Sequence, residues 1–548
     1  MKPPLQPAVV LVADPTLSAR YRVLFEGVFA TAQTTQVPEW MMRRFLAPPA
    51  RANAAGRART APLGLRRVEA ALLDSSALGP DDVAVTTPQA VGRLLGPWTR
   101  VVGVSSSDPL GHGMSNTTTR AFSSGSLYTR LWTDRLMRRL AEARRRFGFR
   151  IAAGGAGAWQ YVHHPADAAR HGIDTVLEGY VEGEGPARLM AMVRGEEPPA
   201  HVRCRATAAG SARPIRGPST MGVVELSRGC GNGCRFCLMA DRRMEHLAED
   251  TILADVETNV AAGAQALVSS SEDFFRYGAE GRRVRFERLR GLLERMQPVR
   301  RGALVQIGHA NITSVLQLEV ADLAEIRRLL APDPDARHLW VNLGLESASG
   351  RLVAANGPGK IAPFDPDDWE AMALDAADRL RRGGFFPLFS VILGLPGETP
   401  DDLARTRRLV RRLDEGPAAV FPVFHEPVRP DRDGPAFALD DMTRRHLDLY
   451  AACYEINFRW IPRLYWDNQR AGGVSRTRRA LAQTLGRAEI ALWRRRFRHL
   501  RRTLEAAGPS RSHLAAEFTR RAPCACAAAD DAPSACTVSQ DAPGKPGG

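Results

Sequence analysis

The chain has 548 residues, 44% of them hydrophobic and 25% charged, with eight cysteines and a formal net charge of +15 at pH 7. That length allows two to four domains with cores of their own, and the composition is that of a globular protein rather than a disordered or fibrous one. No apolar run approaches the roughly 20 residues a membrane helix needs, the N-terminus lacks the apolar stretch of a signal peptide, and eight cysteines, three of them clustered, make no disulfide framework. A cytoplasmic protein without a membrane partner is expected. The charge surplus is mostly arginine strung along helical segments such as Arg144-Arg145-Arg146 and Arg494-Arg495-Arg496. With no recognised nucleic-acid module beside it, it reads as arginine bias rather than as a nucleic-acid site.

Residues 8–13, Ala8-Val9-Val10-Leu11-Val12-Ala13, form a continuous apolar run that reads as a buried parallel strand, and a helix is expected from Ser18. An Ala/Arg/Pro-rich insertion near 47–61 precedes a helical stretch opened by Pro62-Leu63-Gly64-Leu65 and running to Leu73. The next strand, Val101-Val102-Gly103-Val104-Ser105, continues as Ser106-Ser107-Asp108. Polar strand ends of this kind lie at the carboxyl edge of a sheet, where open α/β folds bind ligands. A basic helix over 126–147, a strand over 150–153 followed by Gly154-Gly155, and a strand over 175–178 followed by Gly179 and the turn Glu182-Gly183-Glu184-Gly185 complete the pattern. Such alternation predicts a doubly wound, Rossmann-like parallel sheet over residues 1–200. Glycines after successive strands either let a large flat ligand approach the backbone or simply turn the chain tightly.

Residues 201–217, rich in Pro, Arg and small residues, read as a linker. A strand from Met221 to Leu226 then opens a central domain over 218–428. Helices over 249–262, 283–296, 318–330, 367–382 and 400–413 alternate with strands over 266–270, 303–308, 338–345, 386–393 and 418–423, a repeated βα unit. A C-terminal domain over 429–508 is helical at 440–460 and 475–506. Its Tyr450, Tyr454, Phe458, Trp460, Tyr465, Trp466 and Trp493 form an aromatic stripe, more often core than substrate cage, and the segment reads as a helical cap. Residues 509–548 are Ala/Pro/Ser/Gly-rich and are expected to be disordered. Their Cys524, Cys526 and Cys536 read as part of that low-complexity tail.

The chemistry concentrates in Arg228-Gly229-Cys230-Gly231-Asn232-Gly233-Cys234-Arg235-Phe236-Cys237, a Cys-x3-Cys-x2-Cys run after the first strand of the central domain. Cysteine thiolates hold iron–sulfur clusters. Three of them on a four-iron cube leave one iron without a protein ligand, the kind of open position that makes a metal site catalytic. Glycines between the cysteines let the backbone wrap a bulky inorganic core, and Phe236 would cover it. Zinc is the alternative, but it takes four ligands in paired knuckles, and the spare candidates, Cys204 and His246, stand at no customary spacing.

This run resembles the signature of the radical S-adenosylmethionine (SAM) enzymes, and the βα repeat around it resembles their partial (βα)6 TIM-type barrel. The resemblance implies a [4Fe-4S] cluster on Cys230, Cys234 and Cys237, whose open iron binds SAM. It also implies one-electron cleavage of SAM to a 5′-deoxyadenosyl radical, with an electron donor such as flavodoxin or ferredoxin. Two later segments resemble the family's SAM-contacting strands: Gly344-Leu345-Glu346-Ser347, whose polar residue reaches SAM, and Gly394-Leu395-Pro396-Gly397, which borders the adenine. On the second strand many relatives carry Gly-Gly-Glu for the SAM amino group, whereas here Ser269-Ser270-Ser271-Glu272 stands in its place. Ser270 and Glu272 are the residues expected to serve SAM or substrate there.

The N-terminal part resembles the cobalamin-binding domain of one large branch of the superfamily, with Ser105, Gly154, Gly155, Gly179, Glu182 and Gly183 as the implied contacts. It departs from cobalamin domains of the methionine-synthase type at the first loop: where those carry Asp-x-His-x-x-Gly, this chain has Asp14-Pro15-Thr16, so no axial imidazole comes from that loop. The resemblance implies a cobalamin-dependent C-methyltransferase acting on a specialised small-molecule metabolite. The alternatives are a cyclase or rearrangement enzyme like the anaerobic tetrapyrrole cyclases, or a methylthiotransferase. The last needs a second cluster with three more cysteines in its N-terminal domain, and only Cys204 precedes Cys230 here.

Overall fold

The computed structural model describes residues 6–506 except 22, 76–77, 206–207, 241, 332–338 and 472; residues 509–548 and their three cysteines lie outside the described residues. The N-terminal domain is built on one parallel sheet of six strands, β1 (Val9–Ala13), β2 (Val83–Thr86), β3 (Val101–Ser105), β4 (Arg150–Gly154), β5 (Thr175–Gly179) and β6 (His201–Cys204), in the order β2-β1-β3-β4-β5-β6. The unbroken apolar run of β1 follows from its central place. Val9, Leu11 and Ala13 pack on one face against helix Leu63–Ser75, and Val10 and Val12 on the other against Leu136, Met137 and Leu140 of helix Tyr128–Phe147. Strands covered on both faces carry no polar alternation, and each such side chain contributes about 1.5–3 kcal/mol by leaving water.

Two expectations are corrected here. The helix after β1 does not begin at Ser18 but ends there: Asp14 caps the single turn Pro15–Ser18 by accepting from the amides of Thr16 and Leu17. The stretch taken as the start of a linker, 201–204, is β6, paired in parallel with β5. Its Val202 and Cys204 are buried while His201 and Arg203 face out, the alternation of an edge strand, too short to stand out among its prolines.

The central domain carries β7 (Val223–Glu225), the two-residue pair β8 (Ser227–Arg228) and β9 (Glu245–His246), then β10 (Ala266–Ser270), β11 (Leu304–Ile307), β12 (Trp340–Glu346), β13 (Phe386–Leu393) and β14 (Ala419–Phe424). The sheets β11-β10-β7 and β12-β13-β14 are all parallel. A parallel bridge between Ala310 and Leu343 joins them, with the Ala310 amide donating to the Asn342 carbonyl at 2.9 Å. The result is an open barrel of six sequential strands with helices outside, as the βα repeat predicts.

Elements from both ends of the chain complete this barrel. Helix Met114–Ala121 of the N-terminal domain lies against edge strand β14, where the Phe424 amide donates to Thr118 Oγ1 at 2.7 Å. Phe25, on helix Leu24–Thr31, sits 5.0 Å from the Trp340 ring and 5.8 Å from Tyr465 of helix Arg444–Ala471, so an apolar plug fills one end of the lumen together with Phe386, Leu388 and Leu464. On the outer side, Arg67 of helix Leu63–Ser75 bonds both carboxylate oxygens of buried Asp255 on helix Glu249–Ala261. The aromatic stripe of the C-terminal helices proves to be largely core: Tyr450 stacks on Tyr454 at 5.0 Å and lies tilted against Phe122 at 4.8 Å, packed with Trp493 and Phe497 of helix Arg476–Ala506.

Candidate active site

After β7 the chain makes the short antiparallel pair β8–β9, Ser227 with His246 and Arg228 with Glu245, and this pair pinches off the cysteine loop. Gly229, Gly231 and Gly233 all have positive φ, between +67° and +71°, which side chains other than glycine adopt only with strain. At Gly229 a Cβ would also strike the carbonyl of Arg243. Phe236 packs with Cys234, Leu352, Ile392 and Leu395, and Met114 of the N-terminal domain joins them. The loop is therefore roofed by apolar groups from both domains.

Burial raises the pKa of all three thiols, that of Cys234 to about 12. Without a cation the thiols stay protonated, and metal binding would release their protons. They lie within electrostatic range of one another, yet among the described residues no three Cys, His, Asp or Glu groups gather tightly enough to hold one metal ion. Zinc draws its ligands to about 2.0–2.3 Å, whereas a four-iron core spaces its thiolates more widely. Cys204, a spare zinc candidate, is buried in β6 in the other domain's core, and His246 stands edge-on to Tyr277 at 5.3 Å.

A second loop grips the first. In residues 356–360 the Asn356 carbonyl accepts from the Arg235 amide at 2.8 Å, and the Gly359 amide donates to the Asn232 carbonyl at 2.9 Å. Arg276 donates to the Cys230 carbonyl and Arg282 to that of Gly231, each at 2.9 Å. Lys360, on this clasp, forms a buried ion pair with Glu346 at 2.7 Å. Glu346 ends β12 at a bulge with φ +62°, and Gly344 must be bare because a Cβ there would strike both partners. The sequence places Glu346 at the barrel mouth correctly, but its lysine partner, fourteen residues on, carries no spacing signal.

The other residues expected to serve SAM divide. Glu272 follows β10 and has one buried carboxylate oxygen, Oε2, without a hydrogen-bond partner. Burial first, and the nearby charge of Glu225 second, push its pKa up to about 7. Ser270 is exposed at the end of β10. The Ser347 hydroxyl instead shares a hydrogen with Thr406 Oγ1 at 3.2 Å and accepts from the Ser349 amide, which makes it a local brace. Gly394, at φ +79°, has the Phe437 ring packed directly where its side chain would be, so a side chain of this protein explains that glycine.

Sequence reasoning missed His309. Its Nδ1 lies 3.0 Å from the Glu272 carbonyl, which can only accept, so Nδ1 carries the hydrogen and Nε2 presents a lone pair. Ala310 and Leu343 face the outer core, so the neighbouring His309 and Asn342 point to the lumen side of adjacent strands. The Asn342 Oδ1 is buried without a hydrogen-bond partner. Burial, then the charge of Lys360, lower the His309 pKa to about 4.

The carboxyl edge of the N-terminal sheet meets the cysteine loop. Tyr180 and Glu182 follow β5; the guanidinium groups of Arg228 and Arg242 lie over the Tyr180 ring at 4.3 and 4.7 Å, and Glu182 pairs with Arg228 at 2.6 Å. Glu182 thus serves the join between the domains rather than standing free for a ligand. Gly155 (φ +91°) accommodates Ser105 Oγ and Ser106, and Gly179 (φ +106°) the Cys204 carbonyl, so both are tight turns set by the protein's own backbone. Gly154 and Gly183 remain half-buried at the same edge.

Comparison with known proteins follows this geometry. Over 211 residues the chain is 26% identical to the tRNA-2-methylthio-N(6)-dimethylallyladenosine synthase of Mycolicibacterium paratuberculosis (strain ATCC BAA-968 / K-10), covering 38% of each protein. Over 196 residues it is 26% identical to the ribosomal protein uS12 methylthiotransferase RimO of Anaeromyxobacter sp. (strain K), covering 35% of this chain and 38% of that enzyme. The chain thus spans well under two thirds of the length of these curated relatives. The structure of the radical SAM methyltransferase TsrM from Kitasatospora setae, with cobalamin and a [4Fe-4S] cluster bound, superimposes with a TM-score of 0.50 at 14% identity, covering 76% of this chain and 75% of that one, a likeness of fold. Residues 224–410 match the Radical SAM superfamily. That match begins inside β7 and ends inside helix Pro400–Leu413, so the part of the chain that resembles the radical SAM superfamily is the barrel that carries the cysteine loop.

Proposed function

We propose that this enzyme is a cobalamin-dependent methyltransferase that methylates carbon on a specialised small-molecule metabolite in the cytoplasm, with a flavodoxin- or ferredoxin-class protein as electron donor. The observation that chiefly supports it is the join between the two carboxyl edges: Tyr180 and Glu182 of the N-terminal sheet hold Arg228, two residues before Cys230. A ligand on one edge therefore faces a ligand on the other. TsrM, whose fold this chain shares, has cobalamin and a [4Fe-4S] cluster bound.

The residues present fit these groups. Three thiols on a glycine-turned loop, Cys234 buried and Cys230 and Cys237 half-buried, suit a cluster, and the unpartnered Glu272 Oε2 suits the amino group of SAM. At the N-terminal edge Asp14 is engaged in capping, and His112 and His164 stack on each other at 4.5 Å, so the half-buried Gly154 and Gly183 suit a corrinoid held without a protein axial ligand. When bound, the cluster and SAM supply a hydrogen-abstracting radical and the corrinoid a transferable methyl group. The protein's part is to exclude water with Phe236, Met114 and Leu352, to orient SAM through Glu272, and to receive a substrate hydrogen bond at His309 Nε2.

The curated relatives favour a methylthiotransferase as second reading, but the one cysteine before Cys230, Cys204, is buried in β6 and cannot share a second cluster. The test is anaerobic purification with iron, sulfide and hydroxocobalamin, followed by metal, sulfide and corrinoid analysis of wild type and a Cys230/Cys234/Cys237→Ala variant. A cubane spectrum lost in the variant, with about one base-off corrinoid per chain, supports the reading. A cluster without corrinoid overturns it in favour of the cyclase or rearrangement alternative.

A further inference from the structure

The two long C-terminal helices take no part in the chemistry above, yet a groove opens between them. Between helix Arg444–Ala471 and helix Arg476–Ala506 lies a cavity of about 1050 Å³, slightly above the roughly 300–1,000 Å³ of a small-molecule site. Phe458, Pro462 and Trp466, each four residues from the next, line it from the first helix, and the small side chains of Ala480, Thr484 and Ala491 line it from the second. The Gln483 side-chain amide donates to the Pro462 carbonyl, which ties the two helices together at the groove. From Ala480 to Arg498 the second helix runs about 27 Å.

Arginines rim this groove. Arg459 pairs with Asp414 at 3.2 Å and Arg494 with Glu455 at 2.8 Å, whereas exposed Arg463, Arg487 and Arg498 have no carboxylate partner among the described residues. Asp467 is the one acidic group in the lining, so the occupant must bring negative charge. A nucleic acid would need open ring faces for its bases, but Arg479 lies over Trp466 at 4.5 Å and Arg494 over Phe458 at 5.5 Å, and both rings are half-buried. A second copy would set two helices together that each carry ten arginines against Glu489 and Glu505, which repel. A flat bilayer meets the rims of a concave slot and not its floor. An extended peptide finds no free backbone on two helices to pair with, while a helix satisfies its own backbone internally.

We infer that this groove docks an acidic amphipathic helix of a partner protein, with the helix's apolar stripe on Phe458, Pro462, Trp466 and Ala491 and its carboxylates against Arg463, Arg487 and Arg498. Helices that lie in grooves present anchors at i, i+3, i+4 and i+7, and the small Ala480 and Ala491 let such a helix come close. The rim pairs are exposed and therefore screened by salt. Docking here needs neither a cluster nor a corrinoid.

The test is fluorescence anisotropy of the full chain with a labelled synthetic helix of about 18 residues, the length of the groove, carrying leucine at i, i+3, i+4 and i+7 and glutamate elsewhere. This peptide is expected to bind, more weakly as salt is raised, and about tenfold more weakly to Arg487→Glu/Arg498→Glu. Ala491→Trp, which fills the floor, is expected to weaken it too. Arg138→Glu/Arg145→Glu, an equal change of charge on helix Tyr128–Phe147, should leave binding as in wild type. No binding overturns the inference, as does an equal loss in the R138E/R145E control. So does equal or tighter binding of a shuffled peptide of the same composition, of its lysine-for-glutamate version, of a single-stranded RNA oligonucleotide or of phosphatidylglycerol vesicles, and so does a dimer that A491W dissociates. Where circular dichroism finds R487E/R498E unfolded, A491W decides: weakened binding supports the inference, and wild-type binding overturns it.

Discussion

The guanidinium of Arg228 lies 4.3 Å from the centre of the Tyr180 ring and 2.6 Å from the Glu182 carboxylate, so a residue of the cysteine loop is held by two residues of the other domain. The charged pair is shielded from water, with Arg228 and Glu182 side chains 5% and 10% exposed, and Tyr180 is half-buried. Arg228→Met leaves buried Glu182, and Glu225, which Arg228 bonds through both carboxylate oxygens, without that counter-charge, a loss of about 3–5 kcal/mol for a buried ion pair. Tyr180→Leu removes only the cation–π contacts with Arg228 and Arg242, about 1–2 kcal/mol. Chemical denaturation of both variants checks the order, and an R228M protein as stable as wild type would show that the domains do not depend on this join.

Glu272 gives stability a pH dependence of opposite sign to that of most carboxylates. Its pKa is about 7 in the folded protein against an ordinary 4.5, so between these values the folded state holds a proton the unfolded chain has lost. The stability contributed is full below about 4.5 and disappears as pH rises through 7. Urea midpoints at pH 5 and pH 8 are expected to fall less in Glu272→Gln than in wild type; parallel behaviour would mean that the carboxyl is not protonated in the fold.

His309 and His112 are both lowered to about 4, by burial before any neighbouring charge. At pH 5 a histidine of ordinary pKa is largely protonated and resists acylation. These two stay neutral, and His309 has its nucleophilic Nε2 free of the Glu272 carbonyl bond. Peptide mapping after brief diethyl pyrocarbonate treatment at pH 5 and at pH 7 should find the labelling of His309 and His112 little changed between the two; labelling that falls steeply at pH 5 would show that they are protonated there.

Phe25 is 1% exposed and touches Trp340 and Tyr465. Phe25→Ala is expected to destabilise by about 3–5 kcal/mol, the range for a large buried ring, and Phe25→Leu by much less. Thermal melts of the two variants distinguish a plug from a side chain that merely lies beside the barrel.

Much of this architecture is legible in the sequence because buried parallel strands are written as apolar runs. Strands β3 and β13 and helix Pro400–Leu413 fall where the pattern puts them, and the glycines of the cysteine run have the positive φ their spacing implies. What escapes is long-range pairing. Lys360 finds Glu346, Tyr180 finds Arg228, and His309 finds the Glu272 carbonyl only once strands far apart in sequence lie side by side. Some glycines invite a ligand reading that packing explains instead: Phe437 at Gly394 and Ser105 at Gly155 fill the space from within. Single-sequence reading sees where a backbone must be bare but not what presses against it.

The plug also bears on how the protein comes into being. Phe25 belongs to the opening segment of the chain, and Leu464 and Tyr465 to a helix made after every barrel strand has left the ribosome. Until that helix arrives, one end of the lumen shows Trp340, Phe386 and Leu388 to water. Domains tend to fold as units from the N-terminus during synthesis, and exposed apolar surface is where they go astray; here the barrel cannot close in its turn, because its two stoppers lie before and after it in the chain. A fragment trimmed to the family-matched residues 224–410 would lack both, and also the last strand, β14.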